Sequence, residues 1–407
     1  MNNSGVFKLS ALAGAIAMVT ACGGGDSGSA GAGDTSVGVI TGFGSIYVNG
    51  VKFDTSKVSH KIDGKDALET ELSVGDVVTI TGTINADGVT GTATAVSSDD
   101  ELEGYVLDVS GLGIDGTGEM NVMGQRVIIT ADTRFEGNET TILAITDLAA
   151  NDIVEVHGFS DGAGLVTATR IETKDSDEDV EVKGLVNSLN TVAMTFKLGE
   201  LTVDYSTAGE IPENLADDLY VEAKTTQPLS GTTMIASKVE IEDDGDKGID
   251  GDEGEEIEVQ GMVSDITETS FRFNGTLVEF ASLEIDDDFN LATLTEGMMI
   301  TVEGYIDANG NFVVEEIEDE HESEDEVQGY VTFKTETSVT INDGVEDMTF
   351  IITNETRMID EQDSTKLHYF SLADLNTGEY AEIEYYIDEA NGNAKVATEL
   401  EREDAPL

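Results

Sequence analysis

Residues 45–53 read SIYVNGVKF, and this stretch decides how the folded part of the chain is interpreted. Apolar and polar residues alternate on both sides of Asn49-Gly50, which is the pattern of two half-buried strands. Asn-Gly suits a type I′ turn because both central residues of that turn need a positive φ angle. The stretch therefore predicts a tight β-hairpin. Residues 271–280, which read FRFNGTLVEF, predict a second hairpin of the same kind.

The two hairpins belong to a unit that occurs five times. Each unit opens with Gly, any residue and a branched aliphatic residue, at Gly38-Val39-Ile40, Gly104-Tyr105-Val106, Gly184-Leu185-Val186, Gly261-Met262-Val263 and Gly329-Tyr330-Val331. Further on, a leucine precedes a corner residue by three positions, and the corners are Gly75, Asn151, Asp218, Gly297 and Gly378. Gly, Asn and Asp tolerate a left-handed backbone best. The substitution pattern therefore predicts a positive φ angle at all five corners.

Strand signals follow each corner. In the first unit Val78 and Ile80 share one face and Thr79 lies on the other; a turn and a second strand come next. Each unit thus has three strands, a connection, and two more strands, which matches the strand order of an OB-fold. Any small Greek-key barrel fits nearly as well. We expect an all-β chain of five tandem OB-like barrels, joined by acidic flexible linkers, after a cleaved signal peptide.

The expected organisation has eight segments. They are a signal peptide at 1–21, a flexible Gly/Ser tether at 22–35, repeats at 36–98, 101–174 and 180–242, an acidic Gly/Asp linker at 243–256, and repeats at 257–318 and 326–402. Each repeat is small enough that its own core gives only marginal stability. Packing between neighbouring repeats would supply more.

The chain has one cysteine, Cys22, and it closes the short apolar run Leu9–Ala21. The run is too short to span a membrane and has the charged start of a secretory signal. Val19-Thr20-Ala21-Cys22 resembles the lipobox of bacterial lipoproteins. The resemblance implies export, cleavage before Cys22, and acylation of this cysteine, for example with palmitate. Since Gly23 rather than aspartate follows, it also implies the outer membrane, facing either the periplasm or the cell surface.

The net charge of −64 limits the possible partners. A field of this sign repels phosphate backbones, so we expect no nucleic-acid binding. It also repels anionic headgroups, so contact with the membrane should run through the lipid on Cys22. Cations are the natural counter-partners, although solubility alone is a sufficient reason for such a charge.

The first unit carries a family resemblance. Residues 42–54, GFGSIYVNGVKFD, and residues 72–78, LSVGDVV, resemble the repeat called domain of unknown function 5666, found in tandem in bacterial lipoproteins. The third unit departs most, because Asp218-Leu219 replaces Gly-Asp. The resemblance implies a small β-barrel and no known activity, so it carries over no catalytic residues.

Metal binding is one candidate chemistry. Residues 243–256 place hard oxygen ligands on a Gly-rich chain, which suits calcium. The candidate ligands are Asp244, Asp246, Asp250, Asp252 and Glu255. The spacing is not that of an EF-hand loop, and a solvated linker explains the same residues. We therefore expect no cofactor other than, at most, weakly bound calcium.

Catalysis and ligand stacking have weaker signals. The four histidines, His60, His157, His321 and His368, share no motif spacing. Aromatic residues cluster in the first and fourth units, at Phe43, Tyr47, Phe53, Phe271, Phe273 and Phe280. They would form a polymer-binding face on an OB-like barrel or, at these alternating positions, a core.

The sequence predicts a non-enzymatic, outer-membrane-anchored lipoprotein whose repeats bind or scaffold an envelope protein or polymer. The alternative is a low-affinity calcium- or cation-binding envelope protein that works through its acidic linkers. A hydrolase is the third hypothesis.

Overall fold

The computed structural model describes residues 5–6, 34–113, 117–137, 148–174, 180–242, 254–279, 294–306, 312–319, 325–362, 367, 370–388 and 393–405. This part of the chain is all-β, with strands and one short 3₁₀ turn, Glu69–Glu71, and it contains no α-helix. None of it forms a helix long and apolar enough to cross a membrane. Cys22 and nearly all of the predicted signal peptide and tether lie outside the described residues.

The strands follow the five repeats. A short first strand is β1 (Gly5–Val6). Repeat 1 contains β2 (Asp34–Val39), β3 (Ile46–Val48), β4 (Val51–Asp54), β5 (Ser59–Ile62), β6 (Lys65–Ala67), β7 (Val77–Ile84) and β8 (Thr90–Ser98). Repeat 2 contains β9 (Leu102–Leu112), β10 (Gly118–Val122), β11 (Gln125–Glu136), β12 (Ile153–Ser160) and β13 (Leu165–Lys174). Repeat 3 contains β14 (Val180–Leu185), β15 (Asn187–Asn190), β16 (Thr195–Leu198), β17 (Leu201–Asp204), β18 (Tyr220–Thr225), β19 (Thr233–Ile235) and β20 (Lys238–Ile241).

Repeat 4 contains β21 (Glu256–Ser264), β22 (Ser270–Phe273), β23 (Thr276–Glu279), β24 (Met299–Ile306) and β25 (Phe312–Asp319). Repeat 5 contains β26 (Asp325–Lys334), β27 (Ser338–Asn342), β28 (Asp347–Ile351), β29 (Arg357–Asp360), β30 (Tyr380–Asp388) and β31 (Ala394–Glu403).

Both hairpins predicted from Asn-Gly are present. They join β3 to β4 and β22 to β23 as antiparallel pairs. The φ angles are 48° and 72° at Asn49 and Gly50, and 46° and 81° at Asn274 and Gly275. Positive φ at both central residues twists the turn in the same sense as the strands, which is why this dipeptide fixes the hairpin.

Repeats 2 and 5 share one scheme of strand pairing. In repeat 2, β9 pairs with β10, β10 with β11, β11 with β13, β13 with β12, and β12 with β9. Only the pair β11–β13 is parallel. Repeat 5 has the same scheme, with β28–β31 as its parallel pair between the third and last strands. In repeat 1, an isolated bridge joins Gly42, which follows β2, to Tyr47 of β3.

The expectation of five separate barrels is wrong, because the first strands of different repeats pair with one another. β2 of repeat 1 lies parallel to β21 of repeat 4, with Val37 opposite Val259. β9 of repeat 2 lies antiparallel to β14 of repeat 3, with Leu102 opposite Val182. Repeats 1 and 4 therefore share one continuous sheet. β14, β18 and β20 of repeat 3 continue the sheet of repeat 2, whereas β15, β16, β17 and β19 form a separate four-stranded sheet. Repeat 5 forms a sheet of its own.

The hydrophobic cores also cross repeat boundaries. One core combines repeats 2 and 3, and the core of repeat 4 takes in Phe159 and Leu165 of repeat 2. Ile359 of repeat 5 packs into the core of repeat 1. At the acidic boundary between repeats 1 and 2, Asp100 and Glu101 are each only 5% exposed. Because a repeat of this size buries little apolar surface alone, sharing cores adds to its stability.

Candidate functional site at the joint of repeats 1, 2 and 3

A row of charged side chains crosses the sheet that repeats 2 and 3 share. Its members are opposite one another in register on six neighbouring strands, and in spatial order they are Glu172, Glu155, Glu103, Glu181, Lys224 and Lys238. Their apolar strand neighbours face the opposite side, because side chains alternate along a strand. Like charges directly opposite each other destabilise a sheet. The four adjacent glutamates therefore need compensating cations.

Arg170 on β13 supplies one such cation and ties repeat 2 to repeat 1. Its guanidinium donates to Asp76 at 3.0 Å, and to Glu136 and Glu172 at 2.9 Å each. Arg170 is 5% exposed and Asp76 is 3% exposed, so this pair is buried. Burial opposes the charge on Arg170, but Asp76, Glu136 and Glu172 outweigh this effect and raise its pKa.

His157 lies between the row and this arginine. Its Nε2 is 2.7 Å from Glu155 and 3.5 Å from Asp76. Burial would lower the pKa of His157, but the two carboxylates outweigh burial and raise it. For Glu155, burial would raise the pKa, but His157 and Lys174 outweigh burial and lower it. Each group therefore favours the charged form of the other, and because both side chains are largely buried, their contact is a structural one.

Lys183 on β14 holds repeat 3 to the connection between repeats 1 and 2. Its ammonium donates to the Asp100 carboxylate at 2.9 Å and to the Asp100 carbonyl at 2.8 Å. Asp63, in the turn between β5 and β6, lies in the same acidic group as Asp100 and Glu181. Burial raises the pKa of each of these three carboxyls. Lys183 therefore offsets part of the repulsion among them.

Three groups of carboxylates at this joint have ligand oxygens within 4.8 Å of one another. They are Asp63, Asp100 and Glu181; Asp100, Glu103 and Glu155; and Glu222, Glu240 and Glu242. Burial, and then the charge of Glu222, raise the pKa of Glu242 to about 7. Oxygen ligands of this type suit Ca²⁺, although Lys183 and Lys224 already contact the same carboxylates.

The five corner residues have φ angles of 97° at Gly75, 80° at Asn151, 66° at Asp218, 83° at Gly297 and 93° at Gly378, all in the left-handed region expected from their residue types. Two corners are also contact points between repeats. The carbonyl of Gly75 accepts a hydrogen bond from Thr169 at 2.7 Å, and that of Gly297 accepts one from Thr167 at 3.3 Å. The corners of repeats 1 and 4 therefore both contact β13 of repeat 2.

Most of the calcium ligands expected from the sequence are not among the residues that the structure describes. Asp244, Asp246, Asp250 and Asp252 lie outside the described residues. Glu255 is described, and its carboxylate accepts a hydrogen bond from the Thr35 hydroxyl at 2.7 Å. Glu255 therefore contacts the first strand of repeat 1, next to the place where repeats 1 and 4 pair.

Most of the aromatic residues considered for ligand stacking are core residues. Phe43, Phe53, Phe271 and Phe273 are at most 3% exposed. Tyr47 is half-buried, and the ammonium of Lys52 lies 5.0 Å from the centre of its ring. Phe280, His321 and His368 lie outside the described residues.

Sequence reasoning missed the joint, although a signal for it was present. Charged residues alternate with branched or small apolar residues in Glu101-Leu102-Glu103, Glu181-Val182-Lys183, Glu222-Ala223-Lys224 and Lys238-Val239-Glu240. Such alternation predicts strands with one charged and one apolar face. It does not say which strands lie side by side, and that information decides where the row forms.

Together, the shared sheets and this joint define an all-β protein of tandem, mutually packed repeats. The chain belongs to the family of the domain of unknown function DUF5666, whose model matches residues 37–97, 103–172, 260–318 and 328–401. Repeat 3, the unit with Asp218-Leu219 at its corner, lies outside these matches. A comparison with curated proteins found no match.

Two solved structures show low similarity to the chain. One, titled Drosophila Unr CSD456, has 13% sequence identity and a TM-score of 0.13, over 54% of this chain and 95% of that one. The other is a multidomain protein with nucleic acid binding domains from Streptococcus pneumoniae TIGR4. It has 12% identity and a TM-score of 0.12, over 35% of this chain and 44% of that one. Similarity this low supports no conclusion about this chain.

Proposed function

We propose that this chain is a non-enzymatic binding or scaffold protein of the bacterial cell envelope, held at the outer membrane by a lipid on Cys22. The observation that carries the scaffold role is the pairing of first strands between repeats 1 and 4 and between repeats 2 and 3. Each shared sheet holds two repeats in a fixed arrangement, so surfaces on the two repeats of a pair keep constant spacing. The lipid anchor rests on the lipobox-like residues 19–22.

We also infer that each repeat is an OB-like barrel. The support is the strand order, in which the first strand lies between the second and the fourth and the third strand runs parallel to the fifth. This order matches the closed form of that fold. In this chain, however, the first strand also pairs with another repeat, so part of the outer surface of the barrel is used for assembly.

Crosslinking in intact cells followed by mass spectrometry tests the proposed function. Three forms are compared: the native chain, Cys22→Ala, and Ser27→Ala as a control in the same Gly/Ser-rich stretch. Incorporation of an alkyne fatty acid should label the native and Ser27→Ala forms and not Cys22→Ala. The same envelope protein should crosslink to both labelled forms and be absent from Cys22→Ala.

Two results would contradict the proposal. Fatty-acid labelling of Cys22→Ala would rule out the anchor. Recovery of no protein partner from the labelled native chain would reject a protein scaffold and leave cations or a soluble polymer as the ligand.

Weak cation binding is the second candidate function, and the groups of carboxylates at the joint favour it. Calorimetry with Ca²⁺ separates two locations for such binding. One variant changes Asp244, Asp246, Asp250 and Asp252 to Asn, and another changes Asp100 to Asn. A control changes four exposed glutamates to Gln: Glu200, Glu268, Glu336 and Glu346. The binding heat should fall in one of the first two variants and persist in the control. The absence of heat from the native chain at millimolar Ca²⁺ would reject this function.

A further inference from the structure

The first strand of repeat 5 has an edge that the other repeats do not leave open. In repeats 1 to 4, the part of the first strand before the motif glycine pairs with a strand of its own repeat on one edge and with the first strand of another repeat on the other. In repeat 5, Asp325–Gly329 of β26 pairs with β30 on one edge. Among the described residues, no strand pairs with its other edge, because the pairing of β26 with β27 begins at Tyr330.

Exposure of equivalent residues reflects this difference. Three positions before the motif glycine, Thr35, Glu101 and Glu181 are 6%, 5% and 8% exposed in repeats 1, 2 and 3, and Glu258 of repeat 4 is half-buried. The equivalent residue of repeat 5, Glu326, is exposed, as are Asp325 and Gln328. An unpaired strand edge presents backbone donors and acceptors to any strand that can approach it.

The two existing joints show which kind of partner fits this edge. The parallel joint of repeats 1 and 4 places non-equivalent positions together, because Val37 precedes its glycine by one residue and Val259 by two. The antiparallel joint of repeats 2 and 3 places equivalent positions together, because Leu102 and Val182 both precede their glycines by two. That joint has a local two-fold arrangement, which is the relation between the subunits of a symmetric dimer.

We propose that a second copy of this chain occupies the edge, with β26 antiparallel to the same strand of the partner subunit. Val327 is the residue two positions before the motif glycine Gly329, so it would face Val327 of the partner subunit at the two-fold axis. Gln328 would then lie opposite Glu326 of the partner subunit, and Glu326 opposite Gln328 of the partner subunit. This register is the one already formed by Leu102 with Val182 and by Glu103 with Glu181.

The side chains suit this register. Glu103 and Glu181 are both acidic, and Lys224 compensates at that joint. The register for repeat 5 instead places an amide donor opposite a carboxylate acceptor, twice. In the single chain Gln328 already donates to Glu382, and its amide lies 3.5 Å from Glu326, so it is oriented toward carboxylates. The net charge of −64 opposes association, so about 0.3 M salt, which shortens the Debye length below about 8 Å, should favour the dimer.

Sedimentation of the full-length chain with Cys22→Ala tests the proposal through a charge exchange. The starting chain should dimerise reversibly. Gln328→Glu places two carboxylates opposite each other on both sides of the axis and should raise the dimer dissociation constant about tenfold or more, since like charges directly opposite destabilise a strand pair. The double variant Glu326→Gln/Gln328→Glu restores one amide opposite one carboxylate and should return the constant to within about threefold of the starting value. Val345→Glu should leave the dissociation constant unchanged, because Val345 lies in the turn between β27 and β28 and is 89% exposed.

A thiol at the axis gives an independent result. In the chain with Cys22→Ala, Val327→Cys supplies the sole cysteine and should form an intermolecular disulfide on mild oxidation, because residues directly opposite in antiparallel strands lie within disulfide range. Val345→Cys should not crosslink at the same protein concentration. A chain that remains monomeric, a double variant as weak as Gln328→Glu, or equal crosslinking of the two cysteine variants would each overturn the proposal.

Discussion

The first strands of repeats 2 and 5 carry nearly the same motif and have different surroundings. Gly104-Tyr105-Val106 and Gly329-Tyr330-Val331 differ only in numbering. Yet β9 pairs across into repeat 3, whereas the described part of β26 pairs only within repeat 5. The comparison shows that the motif specifies a strand within its repeat, while the neighbouring repeat decides whether that strand is covered.

The largest expected loss of stability follows from removing a charged side chain that joins two repeats. Arg170→Ala leaves Asp76 buried without its arginine, and breaking a buried ion pair typically costs about 3–5 kcal/mol. Urea unfolding should show a loss of this size. The matched control is Arg126→Ala, because Arg126 and Glu119 form an ion pair in the same repeat with both side chains 47% exposed. That variant should cost about 0–1 kcal/mol. Equal losses of unfolding free energy in the two variants would mean that the buried ion pair at the joint stabilises the fold no more than an exposed one.

A packed and an open corner give the next comparison. Gly75→Ala and Gly378→Ala both place a side chain at positive φ, which costs about 1–2 kcal/mol. At Gly75 the new Cβ would also lie 2.9 Å from the Cβ of Arg170, whereas at Gly378 nothing lies within 4 Å. Crowding of this kind adds about 1–3 kcal/mol, so Gly75→Ala should be the more destabilised variant in thermal unfolding. The comparison fails if Gly378→Ala loses as much stability.

The smallest expected effect is a pH dependence that the joint produces. The pKa of Glu242 is raised from 4.5 to about 7, so the folded chain binds this proton more tightly than the unfolded chain does. Its contribution to stability is therefore present at low pH and is lost as the pH rises from about 4.5 to about 7. Glu242→Gln should remove this dependence and make the chain more stable than the native one above pH 7, by about 1 kcal/mol after allowing for solvent screening.

Thermal unfolding at pH 5 and pH 8 measures the effect, with Glu268→Gln as an exposed control that should keep the native dependence. The prediction is wrong if the unfolding temperature of the native chain and that of Glu242→Gln change by the same amount between pH 5 and pH 8. Burial at the joint would then not act on this carboxyl.

The sequence predicted local features well and the arrangement of repeats poorly. Asn49-Gly50 predicts a hairpin because the conformation of a two-residue turn depends on those two residues. The type of residue at Gly75, Asn151 and Gly378 likewise indicates positive φ. The assembly was missed because the residues that form it, such as Leu102 and Val182, are far apart in the chain and have the same pattern as any half-buried strand.

The candidate joint illustrates the same limit. Charged residues at alternate positions, such as Glu181 and Lys183, indicate a charged strand face from sequence alone. Their partners Asp100 and Lys224 become neighbours only when the strands of repeats 2 and 3 lie side by side. Asp100 and Glu101 are residue types that are usually exposed, so the sequence predicts a flexible linker there. Contact with Lys183 compensates the charge of the buried Asp100.

The sequence by itself determined the all-β class, the family, the repeating unit and the backbone geometry of its turns, because these depend on residues close together in the chain. Only the tertiary structure decided that repeats 1 and 4 and repeats 2 and 3 share sheets and that two corners contact β13. It also decided that, in the described part of the chain, one edge of Asp325–Gly329 has no pairing strand. Strand edges carry the same backbone groups in every repeat, so the sequence of an edge does not specify its partner. Packing and charge compensation between whole repeats select it.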